Sequence, residues 1–213
     1  MIYQKASTGF RIGASVGMII LMLGIAIALS VAANAGISDQ MKIITNFNVP
    51  LEKAAVQISN IQKNQDQSLD NAIKFLRMGD TRGFQVSEDE FHFYENLMTS
   101  ELIQSHDLVN IGADALPQEY TDSNLILIKI DDIERLNSEY EQSANSLFVL
   151  SDWTDRTKLN ELENDLKNKE NSLGEKQNDL LSYITSSYQN IETSIDGNKQ
   201  RFLMLEIVII VSA

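Results

Sequence analysis

The sequence predicts an all-α protein, an up-down-up-down four-helix bundle flanked by transmembrane helices. Three observations carry that expectation. Two apolar stretches bracket the chain, one inside residues 12–38 and one over 202–213. Residues 39–199 between them contain only Pro50 and Pro117, so long helices meet few breakers. Apolar residues in that region recur every seven positions, the period of helices packed side by side.

The charge is divided along the chain in the same way. Residues 1–38 hold Lys5 and Arg11 and no acid, whereas 39–199 hold 29 acids and 14 bases, a net of 14 - 29 = -15. The whole chain of 213 residues carries -13. This acidity argues against nucleic acid as a partner, because phosphate binding needs clustered bases. The absence of cysteine excludes a disulfide scaffold, a thiolate metal site and a cysteine nucleophile.

Val16 to Ala33 reads VGMIILMLGIAIALSVAA and is bounded by uncharged residues on both sides. A helix crossing a bilayer core of ~30 Å needs about 20 such residues, so 12–36 is expected to be a first transmembrane helix. Lys5 and Arg11 then place residues 1–11 as a cytoplasmic tail in the inner or plasma membrane, with 37–201 extracytoplasmic. A cleaved signal peptide is the competing reading, since Ala33-Asn34-Ala35 has a small-x-small shape. Gly13, Gly17 and Gly24 are spaced to let two such helices pack closely, although glycine is also common in membrane helices for other reasons. Phe202 to Ala213 reads FLMLEIVIIVSA, ~18 Å of helix, and is expected to be the start of a second, truncated span. On that reading the polypeptide is the front end of a longer one.

The first helix of the bundle carries Ile44, Leu51 and Ile58 seven apart, with Phe47, Ala54 and Ile61 as the interleaved set. Continuing the frame brings in Gln65 and Ser68 as a polar layer, then Ala72 and Phe75. Pro50 predicts a kink or a fresh helix start. Gly79-Asp80-Thr81-Arg82-Gly83 predicts a break, and Ser87 an N-cap with Glu88, Asp89 and Glu90 in the first turn. The second helix then presents Phe91, Tyr94, Met98, Leu102 and Val109 and ends near Gly112 and Pro117.

A third helix from about Gln118 places Ile126, Ile133, Tyr140 and Leu147 seven apart, with Ile130 and Ala144 beside them. A fourth begins near Ser151 or Asp152, with Trp153 packing at the bundle tip. Its Leu159, Leu166, Leu173 and Leu180 keep strict spacing before the seam steps to Ile184 and Ile191, a stutter.

No enzyme signature is present: no phosphate loop, serine elbow or HExxH pair. No catalytic residue, metal ligand set or cofactor is therefore expected. His92 and His106 are fourteen apart on one helix, too far to share a metal, and read as ordinary partly exposed residues. Residues 83–128 contain nine acids and no lysine or arginine, a face that would favour an amine or a metal ion, or simply solvent. Arg77, Arg82 and Arg135 are the opposite candidates, as groups that would read a carboxylate ligand.

Asn48-Val49-Pro50-Leu51, continuing to Ile58, Ile61, Gln62, Gln65 and Leu69, resembles the start of the four-helix-bundle sensor of methyl-accepting chemotaxis proteins. Sensor histidine kinases and diguanylate cyclases carry similar modules. The resemblance implies a homodimer anchored in a lipid bilayer that binds a small molecule, or a ligand-loaded binding protein, outside the cell. It also implies a cytoplasmic signalling module that this chain does not contain. A ligand-free helical adhesin or spacer is the structural alternative.

Overall fold

A computed structural model describes residues 8–115, 123–150 and 156–212. It is all-α. Five helices, α1 (Thr8–Ile43), α2 (Val49–Met78), α3 (Thr81–Ala115), α4 (Ser123–Phe148) and α5 (Arg156–Ser212), account for nearly all of the described residues. A π-helical turn, Ile44–Asn48, joins α1 to α2. The chain divides into two compact units, Met1–Ile44 with Gln189–Ala213, and Thr45–Tyr188.

The expectation of a membrane location is not upheld. Among the described residues no helix is long and apolar enough to cross a membrane. The apolar run of α1, Val16 to Ala33, is 18 residues long. It contains Gly17, Gly24 and Ser30, and α1 continues past it into Asn34, Ser38, Asp39 and Gln40. The assignment of 12–36 as a span, and the inner- or plasma-membrane location with a cytoplasmic N-terminus derived from it, are corrected accordingly. Gly13 lies outside the residues whose side-chain surroundings are described. A methyl group added at Gly17 or Gly24 would meet nothing within 4 Å. In this first unit Gln40 donates from Nε2 to Ser194 Oγ at 3.3 Å.

In the second unit the heptad positions become the core. Phe47, Leu51, Ala55 and Ile58 pack with Met98, Leu102 and Val109 of α3, Ile126, Ile130 and Ile133 of α4, and Leu173, Leu180 and Ile184 of α5. A second cluster joins Leu69, Ala72 and Leu76 to Phe84 and Phe91, Tyr140 and Leu147, and Leu159 and Leu166. Each cluster thus draws on all four of α2 to α5, and burying these side chains is the main source of stability. The stutter in α5 is present: Leu173, Leu180, Ile184 and Ile191 are all buried.

The fresh helix start expected at Pro50 is present, and two other element boundaries differ from the sequence expectation, each for a local reason. Pro50 sits at the first turn of α2, where its missing N–H costs nothing, and the preceding π turn absorbs the change of register. The break after α2 is only Gly79 and Asp80. Gly79 takes a left-handed conformation (φ 71°) and returns its N–H to Leu76 O at 3.1 Å. Asp80 Oδ1 accepts from the Gly83 N–H at 3.0 Å, so Asp80 caps α3 seven residues earlier than Ser87 would. Ser87 is instead buried within α3 and donates to Gly83 O at 3.0 Å. Glu88, Asp89 and Glu90 consequently lie inside the helix rather than in its first turn. Pro117, Gln118 and Trp153 lie outside the described residues.

Gly112 is required by packing. A Cβ there would fall on the ring of Phe47, which is itself buried.

Candidate functional site

The apolar seams of α2, α4 and α5 are interrupted by one band of polar side chains. Gln62, Gln65, Asn137 and Gln177 are each at least 95% buried, where apolar residues would be the default. Gln65 falls on the heptad set of Leu51 and Ile58, Asn137 on that of Ile130 and Ala144, and Gln177 at the stutter of α5. The repeat therefore delivers all of these amides inward.

Asp66 stands at the centre of the band. Tyr140 on α4 donates its phenol hydrogen to Asp66 Oδ1 at 2.7 Å, and Gln62 Nε2 donates to the same oxygen at 2.7 Å. Burial pushes the Asp66 carboxyl up to about 6, with Glu170 adding repulsion, while the two hydrogen bonds pull the other way. The Tyr140 phenol is driven strongly upward by burial and by Asp66, so it remains a donor. A second acid behaves alike. Burial, with Glu95 opposing, pushes Glu141 up to about 7 despite the hydrogen bond it accepts from Asn137 Nδ2 at 2.6 Å.

The band is incompletely satisfied. Gln62 Oε1, Asn137 Oδ1 and Gln177 Nε2 have no hydrogen-bond partner. Gln65 is close enough to Glu141 to favour its charged form, yet neither amide atom completes a well-formed hydrogen bond. Leaving a buried donor or acceptor unpaired costs ~1–3 kcal/mol, so several in one layer call for a reason.

A groove between α2 and α5 supplies one. It encloses about 480 Å³ and is lined by Ser59, Gln62, Lys63 and Asp66 on one wall and by Glu170, Asn171, Gly174, Glu175, Gln177 and Asn178 on the other. Two of the unpaired atoms, the acceptor Gln62 Oε1 and the donor Gln177 Nε2, belong to residues lining this one space. Three carboxyl groups face one lysine. An adjoining cavity of about 230 Å³ shares Asp66 and Glu170 and reaches Tyr140. A ligand here could offer positive charge to Asp66 and Glu170, and a turn of the Gln62 and Gln177 side chains, whose unpaired atoms are buried, would bring their amides to it.

The three arginines do not converge on that groove. Arg77 lies at the end of α2 and its Nη2 binds Glu163 Oε2 of α5 at 2.6 Å. It lines a separate cavity of about 820 Å³ with Met78, Arg156 and Leu159. Arg82 is exposed in the first turn of α3. Arg135 is exposed on α4, engaged by Glu139 at 2.6 Å and Asp132 at 3.9 Å. Arg77 and Arg82 share the turn between α2 and α3, and Arg135 is ~20 Å from the Phe148 end of α4. The histidines stay apart, His92 against Glu95 at 2.6 Å and His106 against Asp131 at 3.2 Å.

Sequence reasoning found the polar layer through Gln65 and Ser68 but not its partners. The signal for Asn137 and Gln177 was available, because each is a polar residue at a seam position. Asp66 carried none, being adjacent to Gln65 and off the seam. Comparison with protein-family models, curated proteins and solved structures finds no match for the chain.

Proposed function

We propose that residues 45–188 form a four-helix-bundle sensor, of the kind the Asn48–Leu69 stretch resembles in chemotaxis transducers, with its ligand site in the α2/α5 groove. The observation that carries this reading is the pair of unpaired amides, Gln62 and Gln177, lining one groove beside a partly buried acid. A ligand-free spacer would gain from apolar residues at both positions. The excess of carboxyl groups favours a small polar amine, and an amine that also bears a carbonyl or carboxylate would satisfy Gln177 and Lys63 as well.

Occupancy would tie α5 to α2 through Asp66 and Glu170 and shift one helix along the other. Neighbouring contacts suit such a shift, since polar groups join α5 to α4 alongside their shared apolar core. Lys176 binds Asp132 at 2.7 Å, Ser143 Oγ donates to Asp165 Oδ2 at 2.7 Å, and Lys169 donates to Ser143 Oγ at 2.6 Å. Ion pairs at this exposure are individually weak and can be re-made in a second register.

The test is a thermal-shift panel of amino acids, amines and organic acids on the full chain. Amine-bearing compounds are expected to raise Tm in the wild type and to lose that effect in Gln177→Leu, which leaves both hydrogen bonds to Asp66 in place. Stabilisation by no compound, or equal stabilisation of the variant, contradicts the assignment.

A further inference from the structure

His106 of α3 faces two carboxylates of α4. Its Nε2 lies 3.2 Å from Asp131 Oδ1 and 3.6 Å from Glu134 Oε2. One ligand atom from each of the three residues falls within 4.8 Å of the others. Asp131 and Glu134 are three apart on α4, so one helical face presents both. The imidazole comes from a different helix.

We propose that His106, Asp131 and Glu134 bind a divalent transition-metal ion, zinc being the best match. Zinc bonds of about 2.0–2.2 Å to nitrogen and oxygen in tetrahedral geometry put neighbouring ligand atoms ~3.4 Å apart. The two His106 distances bracket that value. The donor set, one imidazole nitrogen and two carboxylate oxygens, suits zinc and the neighbouring first-row ions and leaves a fourth position open. Two carboxylates with a neutral imidazole carry -2, which the ion neutralises.

The surroundings favour a cation. Among the described residues neither Asp131 nor Glu134 is in ion-pair contact with a lysine or arginine. The nearby cations are committed elsewhere: Arg135 to Glu139 and Asp132, Lys176 to Asp132, and Lys129 to Asp179. His106 is about one-quarter exposed and both acids more than one-half, so an ion can enter without rearrangement of the core. Bound there, it cross-links α3 to α4 independently of the α2/α5 groove.

Titration calorimetry with zinc on the full chain, after stripping with a chelator, tests this directly. One zinc per chain is expected, together with a rise in Tm. His106→Gln and Glu134→Gln should each weaken binding at least ~tenfold, at or beyond the loss typical of an outer-shell partner. Both positions are solvent-accessible, so far-UV circular dichroism of the metal-free variants should match the wild type. His92→Gln, at the other imidazole-carboxylate pair, should leave binding intact. Absence of zinc binding in the wild type overturns the proposal. So does unchanged affinity in both His106→Gln and Glu134→Gln, or a loss confined to His92→Gln.

Discussion

Tyr140 on α4 and Asp66 on α2 meet through a 2.7 Å hydrogen bond in a layer that is otherwise the interior of a helical core. The phenol is enclosed, with 1% of its surface exposed, and the carboxylate opens toward the α2/α5 groove. The pair links the helix that carries the polar wall to a helix behind it. Tyr140→Phe removes the donor without changing the packing volume. Stability by urea denaturation at pH 8 should fall by about 1.5–3 kcal/mol, the range for a hydrogen bond to a charged group. The loss should shrink near pH 4, where the carboxyl is protonated.

Stability of the whole protein should depend on pH in an unusual direction. Asp66 and Glu141 are raised on folding, to about 6 and about 7. The folded state then binds protons more tightly than the unfolded one. Their contribution is complete below pH ~4 and is lost as pH rises through 6 to 7. After allowance for solvent screening at two partly open sites, the expected loss between pH 4 and 8 is roughly 2 kcal/mol. Asp132 and Asp165 act oppositely. Hydrogen bonds from Lys176 and Ser143 respectively lower them, so their contribution disappears only in more acid solution. Urea midpoints measured across pH 3 to 8 should pass through a maximum on the acid side of neutrality.

Gln65 is fully enclosed, and neither of its amide atoms makes a well-formed hydrogen bond. Gln65→Leu, close in volume, should stabilise the protein by ~1–2 kcal/mol in urea denaturation. It does not line the groove, so the response to amines should survive. A destabilised variant would show that the Gln65–Glu141 contact is stronger than its geometry indicates.

Gly112→Ala should be costly for its size. The new methyl falls on the buried Phe47 ring, and overpacking of this kind costs typically ~1–3 kcal/mol. The same substitution at Gly174 meets no atom within 4 Å and should be neutral or stabilising, because alanine is the better helix former. Comparing the two melting temperatures separates packing from propensity.

Much of the all-α architecture was legible because helix packing writes a seven-residue period into the sequence. Leu51, Ile58, Ile126, Ile133, Leu173 and Leu180 are all buried where that period puts them. Boundaries were less legible. Asp80 outcompetes Ser87 as a cap because Gly79 can turn left-handed directly beside it, a local geometry that spacing does not encode. The apolar run of α1 reads as a membrane span from its composition, whereas among the described residues no helix is long and apolar enough to cross a membrane. The groove was half legible. Seam-position amides signal a polar layer, but the approach of Tyr140 to Asp66, 74 residues apart in sequence, is a product of the fold alone.

The central claim is that the α2/α5 groove binds a ligand and that binding moves α5 against α2. The chain has no cysteine, so a pair introduced at two exposed positions, Asn60→Cys on α2 and Ser182→Cys on α5, can carry spin labels without background. Pulsed electron-spin distance measurement, with and without the amine that stabilises the protein most, reads the motion directly. A shift of about 1–2 Å in the mean distance is expected, abolished by Gln177→Leu. A distance distribution that does not change at saturating amine, or that changes equally in the variant, would contradict the account.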